Sequence, residues 1–326
     1  MKKTGKKLVA LSVLAALGVS ALTGCGSKAA AYPSKSLELV IPASPGGGSD
    51  TMGRLLVDII TSEKLCSQTV VPVNKPGGGG SAGQQYVNAK TDKDYTIFTI
   101  NDAHTIAATV SGTRPEKNFT PIAMLATDQV LFVTKGDAPY ETMDDAIAAI
   151  QANPKGLTVG CADQLDKICV FDINNSYGVD FNNVYFNSAG EIATAVMGGH
   201  VEFGMFNPSE CSSLVESGDL KALGTFATER CAAPLDQVPT FTEMGHDDLV
   251  FAMSRGILGP EGMSEEAVKY WSDVFKKVCE NDKWVKDYVE KNGLTPTYMD
   301  CTEYKAYYEE NEKNLIEKAK ALGEIQ

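Results

Sequence analysis

The sequence predicts a two-lobed α/β protein in which each lobe is a mainly parallel sheet flanked by helices, with a ligand cleft between the lobes. Three observations lead there. From Leu37 onward, short β-branched runs alternate with helical stretches, the pattern of βαβ units. The 326-residue chain is long enough, once residues 1–24 are set aside as a leader, for two lobes each with its own core. Two short segments, Thr127 to Gln129 and His246 to Val250, read as crossings between lobes. Two crossings make the first lobe discontinuous: residues 33–127 and 251–326 form lobe 1, and 128–250 form lobe 2.

The leader is read from its charge and length. Lys2, Lys3, Lys6 and Lys7 precede an uncharged, mostly apolar run from Leu8 to Leu22, the composition of a secretory signal. The alternative, a membrane-spanning helix, needs roughly 20 apolar residues, and this run is shorter. It ends in Leu22-Thr23-Gly24-Cys25, which resembles the bacterial lipobox. Residues 1–24 are therefore expected to be a lipoprotein signal peptide, Cys25 the lipidated residue and 25–32 a lipidated tether. Two or more acyl chains on one Cys suffice for stable anchoring.

Ten strands follow: Leu37 to Ile41, Thr69 to Val73, Tyr95 to Ile100, Ile122 to Ala126, Val130 to Thr134, Leu157 to Gly160, Asn183 to Phe186, Phe203 to Phe206, Ala222 to Phe226 and Phe251 to Leu258. Helical patterns lie between them, at Asp50 to Ser62, Thr142 to Gln151, Leu165 to Tyr177 and Ile192 to Met197. Towards the C-terminus, Glu265 to Asn281, Lys283 to Lys291 and Thr302 to Leu322 read as helices, interrupted by an extended piece at Leu294 to Tyr298.

Charge and cysteine usage narrow the function. The net charge of −13 becomes more negative when the four lysines of the leader are removed. That balance argues against nucleic acid and anionic lipid as partners. It also means that an anion site must work through local dipoles and hydrogen bonds. Seven cysteines remain beside Cys25: Cys66, Cys161, Cys169, Cys211, Cys231, Cys279 and Cys301. An odd number cannot all pair within the chain. If any pair forms, Cys279 with Cys301 is favoured, because both lie in the helical C-terminal segment; buried thiols acting as small apolar residues are expected for the rest. No C-x-x-C and no His at ligand spacing points to a metal.

Two glycine-rich loops carry the chemistry. Ser44-Pro45-Gly46-Gly47-Gly48-Ser49-Asp50 joins the first strand to the first helix, and Asn74-Lys75-Pro76-Gly77-Gly78-Gly79-Gly80-Ser81-Ala82-Gly83 follows the second strand. Glycine lets the backbone approach a ligand, and a helix N-terminus with free N–H groups binds anions without Lys or Arg. A flexible turn with an N-cap is the plainer reading of either loop alone; two at successive strand ends would face one cleft. Gly78, Gly80 and Gly83 also fit G-x-G-x-x-G, with Asp102 placed for a ribose. An exported protein has no nicotinamide supply, so no cofactor is expected.

An ordered series of segments carries a resemblance over nearly the whole mature chain. Tyr32-Pro33-Ser34-Lys35, Val40-Ile41-Pro42 with SPGGGSD, NKPGGGG, and Asp94-Tyr95-Thr96 come first. Phe119-Thr120-Pro121-Ile122, Asn153-Pro154-Lys155-Gly156-Leu157-Thr158, Gly198-Gly199-His200-Val201-Glu202, Val238 to Gly245 (VPTFTEMG) and Gly259-Pro260-Glu261-Gly262 follow in order. Together they resemble the solute receptors of tripartite tricarboxylate transporters, the Bug family. The resemblance implies a periplasmic-binding-protein-like fold closing on a small organic carboxylate, either a di- or tricarboxylate or an amino acid. It further implies delivery to the large and small integral membrane subunits of a transporter, by a receptor expected to act as a monomer.

Carried over to this chain, one ligand carboxylate would sit on the glycine loops. The first-lobe candidates are Ser44, Gly46, Gly47, Gly48, Ser49 and Asp50, with Gly79, Gly80 and, at the third strand end, Asn101. Those of the second lobe are Asp163, Asn187 and Asn207. The segment Cys161-Ala162-Asp163-Gln164-Leu165-Asp166-Lys167 departs from the family's usual Gly, Ser and Asn loop. An acidic Asp163 facing the cleft would disfavour a second ligand carboxylate unless Lys167 or a ligand amine neutralised it; alternatively, Asp163 caps the helix that begins near Leu165, with Asp166 and Lys167 solvated. No catalytic residue is expected, since G-x-S-x-G and H-E-x-x-H are absent and His104, His200 and His246 are scattered. A ligand-sensing surface protein and a secreted hydrolase using Cys161 remain the alternatives.

Overall fold

The computed structural model describes residues 32–46, 48–113 and 119–325. The leader, Cys25, residues 26–31 of the tether and Gly47 lie outside the described residues. The first sheet has the order β2-β1-β3-β10-β4, built from β1 (Leu37–Ile41), β2 (Val70–Asn74), β3 (Thr96–Asn101), β4 (Thr120–Gln129) and β10 (Ala252–Gly259). The second has the order β7-β6-β8-β5-β9, from β5 (Leu131–Lys135), β6 (Thr158–Cys161), β7 (Asn182–Tyr185), β8 (Phe203–Phe206) and β9 (Leu220–Thr225). In each sheet three strands pair in parallel and one strand runs against both of its neighbours. That strand is β10 in the first sheet and β5 in the second.

The reversed strands are the ones that arrive from the other sheet. β4 hands the chain to β5 across Val130, and the return path ends where Phe251 N–H donates to Phe226 O, immediately before β10. Thr127, Asp128 and Gln129 do not form the connection expected of them. They stay in β4, paired with Ser254, Met253 and Ala252, so the chain changes sheets at Val130. His246 to Val250 does lie between the sheets in sequence, and Leu249 is buried in the core of the second.

Most helices fall where the periodicity puts them: α1 (Gly48–Ser62), α4 (Met143–Ala152), α5 (Gln164–Tyr177), α6 (Ala189–Met197), α8 (Glu265–Cys279) and α10 (Cys301–Ala321). α2 (Ser81–Asn88) follows the second glycine loop. α3 (Asp102–Val110) and α7 (Pro208–Glu216) carry weak periodic signals: α3 has β-branched Thr105, Ile106, Thr109 and Val110, and α7 opens on Pro and contains three serines. The predicted helix at Lys283 to Lys291 is a short α9 (Asp282–Trp284) running into a π turn, Val285–Glu290, with Trp284 stacked on Tyr288 at 4.9 Å. Leu294 to Tyr298 runs beside β4 through isolated bridges, Thr295 to Thr127 and then Met299 to Met124.

Each sheet is covered on both faces. One side of the first sheet packs Met52, Leu56 and Ile59 of α1 with Trp271 and Phe275 of α8. The other packs Phe98 and Leu258 against Tyr304 and Tyr308 of α10. Phe132, Ile147 and Ile173 fill one side of the second sheet, and Leu131, Ile192 and Val196 the other. At roughly 1.5–3 kcal/mol for each large apolar side chain, these layers make the sheets rigid supports for the loops at their ends.

The seven cysteines beside Cys25 are all free thiols. The favoured pairing of Cys279 with Cys301 fails for a geometric reason. Cys301 N–H donates to Ser272 Oγ, and Ser272 lies two helical turns, about 10 Å, along α8 from Cys279. A disulfide needs its Cα atoms within roughly 7 Å. Burial pushes the Cys211 and Cys279 thiols up to about 12 and raises those of Cys161 and Cys169, so these behave as buried apolar groups.

Candidate functional site

The loops that the sequence singles out lie at strand ends, and each is fixed in a different way. In the first loop Ser44, Gly46 and Gly48 are exposed and Ser49 is buried. Asp50 is only 4% exposed. Its carboxylate accepts from Gly46 N–H at 2.8 Å, from Arg54 Nε at 2.9 Å and from Asn74 Nδ2 at 2.8 Å. Arg54 Nη2 in turn donates to Asn74 Oδ1, while Asn74 Nδ2 also donates to Ala43 O. Asp50 thus ties the first loop to the end of β2. Hydrogen bonding to Arg54 above all, then to Gly46 and Asn74, holds its pKa at about 2.

The second loop is left open. Gly77, Gly78, Gly79 and Gly80 all have positive φ, at 130°, 55°, 60° and 96°, a run that only glycine adopts without strain. A Cβ on Gly79 would lie 2.6 Å from Ala107 Cβ, and one on Gly80 would lie 2.7 Å from the His104 ring. The loop therefore folds tightly onto α3. No side chain caps α2, no acid lies in its first turn, and Gly78 and Gly79 N–H have no backbone partner among the described residues. Lys75 turns away to place its ammonium 4.1 Å from the centre of the Tyr86 ring.

At the next strand end Asn101 caps α3, its Oδ1 accepting from His104 N–H at 2.8 Å. Asp102 is 2% exposed and accepts from Ser254 N–H, Ser254 Oγ and Asn311 Nδ2. It faces inward, joining α3 to β10 and α10, which removes it as a ribose acid. Burial raises its pKa to about 6.

The loops of the second sheet are capped by their own carboxylates. Asp163 Oδ1 accepts from Leu165 and Asp166 N–H at 2.8 and 3.1 Å, so it serves as the N-cap of α5. Asp166 is half-buried, not freely solvated as that reading supposed, and accepts from Ala162 N–H at 2.7 Å. Desolvation, with Asp163 beside it, pushes the Asp166 carboxyl well up. Asn187 N–H donates to Glu191, and Asn207 N–H donates to Glu210 at 2.8 Å. Asn207 Nδ2 reaches back to Gln129 O at 2.6 Å. Burial pushes Glu210 up to about 7. Lys167 is engaged elsewhere, 2.8 Å from Glu324.

The two sheets' elements meet through α5. Leu165 and Ile168 pack with Ile106 of α3, Met253 of β10 and Leu315 of α10. The ion pairs Lys167 to Glu324 and Lys318 to Asp172 flank that contact. Sequence reasoning missed a further group, Arg255 of β10, which pairs with Asp128 of β4; the two are 9% and 0% exposed. Cys161 is fully buried with a raised pKa, and His246 bonds Ser176 at 2.6 Å, so neither supplies a thiol–imidazole pair.

The model of the tripartite tricarboxylate transporter family receptor, TctC, matches residues 56–322. The chain belongs to this receptor family. A UPF0065 protein in the gbd 5' region of Cupriavidus necator is 29% identical over 311 residues, covering 93% of each chain. A TctC solute-binding protein from Polaromonas, solved without ligand, has a TM-score of 0.75 at 25% identity over 88% of this chain and 99% of its own. An R. palustris protein solved with adipate has a TM-score of 0.73 at 20% identity, over 90% of this chain and 98% of its own. The TctC receptors are extracytoplasmic solute-binding proteins with no catalysis of their own, and the two five-stranded sheets with flanking helices are their periplasmic-binding-protein-like fold.

Proposed function

We propose that this TctC receptor is a lipoprotein that captures a small organic carboxylate between its lobes and delivers it to the large and small membrane subunits of a tripartite transporter. The observation that carries the reading is the second glycine loop. Four successive positive-φ glycines lead into an uncapped helix whose first turn lacks an acid, the arrangement that receives an anion without a cationic side chain. The neighbour solved with adipate supports a carboxylate as the ligand class.

In this reading residues 33–129 and 251–326 form lobe 1 and 130–250 form lobe 2, the boundary moved from 127 because Asp128 and Gln129 stay in β4, with the hinge at Val130 and Val250 to Phe251. Direct ligand contact falls to Ser44, Gly46, Gly47, Gly48, Ser49, Gly79 and Gly80. Asp50, Asn101 and Asp163 act by holding those loops and helix ends in place, since each side chain already accepts from nearby backbone N–H groups, while Asn187 and Asn207 are held by the Glu191 and Glu210 carboxylates that accept from their N–H groups. Cys25 carries the lipid anchor, and the receptor works as a monomer.

A second ligand type is favoured by one observation. Asp163, Asp166 and Glu210 cluster at the α5 and α7 ends, and Lys167, next to Asp166 in sequence, is taken by Glu324. An amino acid, with an ammonium for that side, suits the arrangement better than a tricarboxylate. A thermal-shift screen over mono-, di- and tricarboxylates and amino acids tests both. A ligand at 100 times its Kd adds about 2.7 kcal/mol. Failure of every carboxylate-bearing compound to stabilise the protein would sink the reading.

A further inference from the structure

We infer that Arg255 is the fixed positive charge that receives a ligand carboxylate at the floor of the cleft, and that Asp128 is the residue that positions it. The inference rests on the carboxylate-receptor reading and adds to it a charged side chain that neither glycine loop contains.

The placement comes from the topology. β10 is the strand that returns from the second lobe, and Arg255 registers opposite Asn101, the residue that ends β3 and caps α3. Arg255 therefore stands beside the candidate site, at the level where the strands give way to ligand-facing loops. The titratable groups around it come from both lobes: His104 from α3, Asp128 from β4, Tyr288 from the π turn and Glu210 from α7.

The bonding leaves donors over. Arg255 Nε donates to Asp128 Oδ2 at 3.1 Å, and Nη2 donates to the same oxygen. A guanidinium has five N–H groups, and here two converge on one acceptor. Nη1 has no partner among the described residues, yet it is not among the buried atoms sealed from solvent without one. Asp128 Oδ1, by contrast, is buried and unpartnered.

A buried ion pair is a poor device for stability alone, because desolvating two charges costs as much as their attraction returns. An Arg held from one edge with its other edge free is suited to bidentate recognition of a planar carboxylate. Glu210 stands close enough to feel Arg255 but makes no bond to it among the described residues; its own carboxylate caps Asn207 N–H. An incoming carboxylate would take the open edge that Glu210 leaves.

The test is calorimetric titration with succinate, glutarate and adipate, and with their diamides, of wild type and three variants. Arg255→Met removes the charge but strands a buried Asp128. The double variant Arg255→Met with Asp128→Leu removes the pair together and is expected to stay folded. Arg255→Lys keeps charge but loses the fork. The expected result is a 30- to 100-fold loss of dicarboxylate affinity in the double variant, with the preference for acid over diamide reduced at least tenfold. Arg255→Lys should fall between that variant and wild type.

A merely structural Arg255 would lower acid and diamide binding together and leave their ratio unchanged. A folded double variant that binds the acid within threefold of wild type, or keeps the wild-type ratio, overturns the assignment while leaving the carboxylate reading intact. A wild type that binds none of these acids, and is stabilised by no carboxylate-bearing compound in the thermal-shift screen, overturns both.

Discussion

Replacing Gly79 tests whether the second glycine loop is the anion site. At φ +60° a residue with Cβ costs roughly 1–2 kcal/mol, and the added Cβ would lie 2.6 Å from Ala107 Cβ. Restoring an ordinary carbon contact of about 3.5–4 Å means moving the loop away from α3 by about 1 Å. Overpacking of that kind adds roughly 1–3 kcal/mol, so Gly79→Ala should lose about 2–5 kcal/mol of stability. A shift of that size spoils the alignment of the Gly78 and Gly79 N–H groups, the two in the loop without a backbone partner among the described residues. Hydrogen bonds to a charged group are worth roughly 1.5–3 kcal/mol each; weakening two by half loses about 1.5–3 kcal/mol, or roughly 10- to 150-fold in Kd.

Gly178→Ala is the matched control. Gly178 has φ +64° with open space at its Cβ position, at the C-terminus of α5. It should carry the backbone cost and leave binding within about threefold. Calorimetric titration of both variants, with urea unfolding to confirm that they are folded, gives the comparison. If Gly79→Ala binds its acid as wild type does, the N–H groups of this loop do not hold the ligand and the reasoning fails.

Three other outcomes follow from the same structure. Asp50 has its pKa lowered from 3.8 to about 2, so it stabilises the folded state above pH 3.8 and that contribution is lost as pH falls through about 2. The shift corresponds to about 2 kcal/mol; Asp50→Asn should lose that much at pH 6 and show a smaller difference from wild type at pH 2 in urea titrations. Ligand should favour a closed form because it contacts both lobes, so small-angle scattering with saturating ligand should report a smaller radius of gyration; identical curves count against it. Cys25→Ser should release the protein from membranes or leave the precursor uncleaved, and mass spectrometry showing an unmodified Cys25 in the mature wild-type protein would refute the anchor.

The architecture was legible because the strands are short β-branched runs and both reversed strands arise where the chain changes lobes. The β4 to β5 connection was misplaced, since nothing local distinguishes Thr127 to Gln129, still paired to β10, from a linker. Asp163 as an N-cap could be read from its position before Leu165, because capping is a local interaction. Asp50 was different: a carboxylate in a glycine loop looks ligand-facing until Arg54 and Asn74 are seen to occupy it. Arg255 escaped entirely. It sits in a strand between Ser254 and Gly256, in no motif, and its partner Asp128 is 127 positions away in sequence. Only the antiparallel register of β10 with β3 and β4 brings that pair together beside the end of β3.

The most direct test of the account is a crystal structure of the receptor with the acid that the screen selects, adipate being the first to try. The account predicts a ligand enclosed between the two lobes, one carboxylate oxygen within about 2.7–3.2 Å of the Gly78 or Gly79 N–H. A ligand bound with its carboxylates turned towards Asp163 and Asp166, or lying outside the cleft with the glycine loop unoccupied, would contradict it.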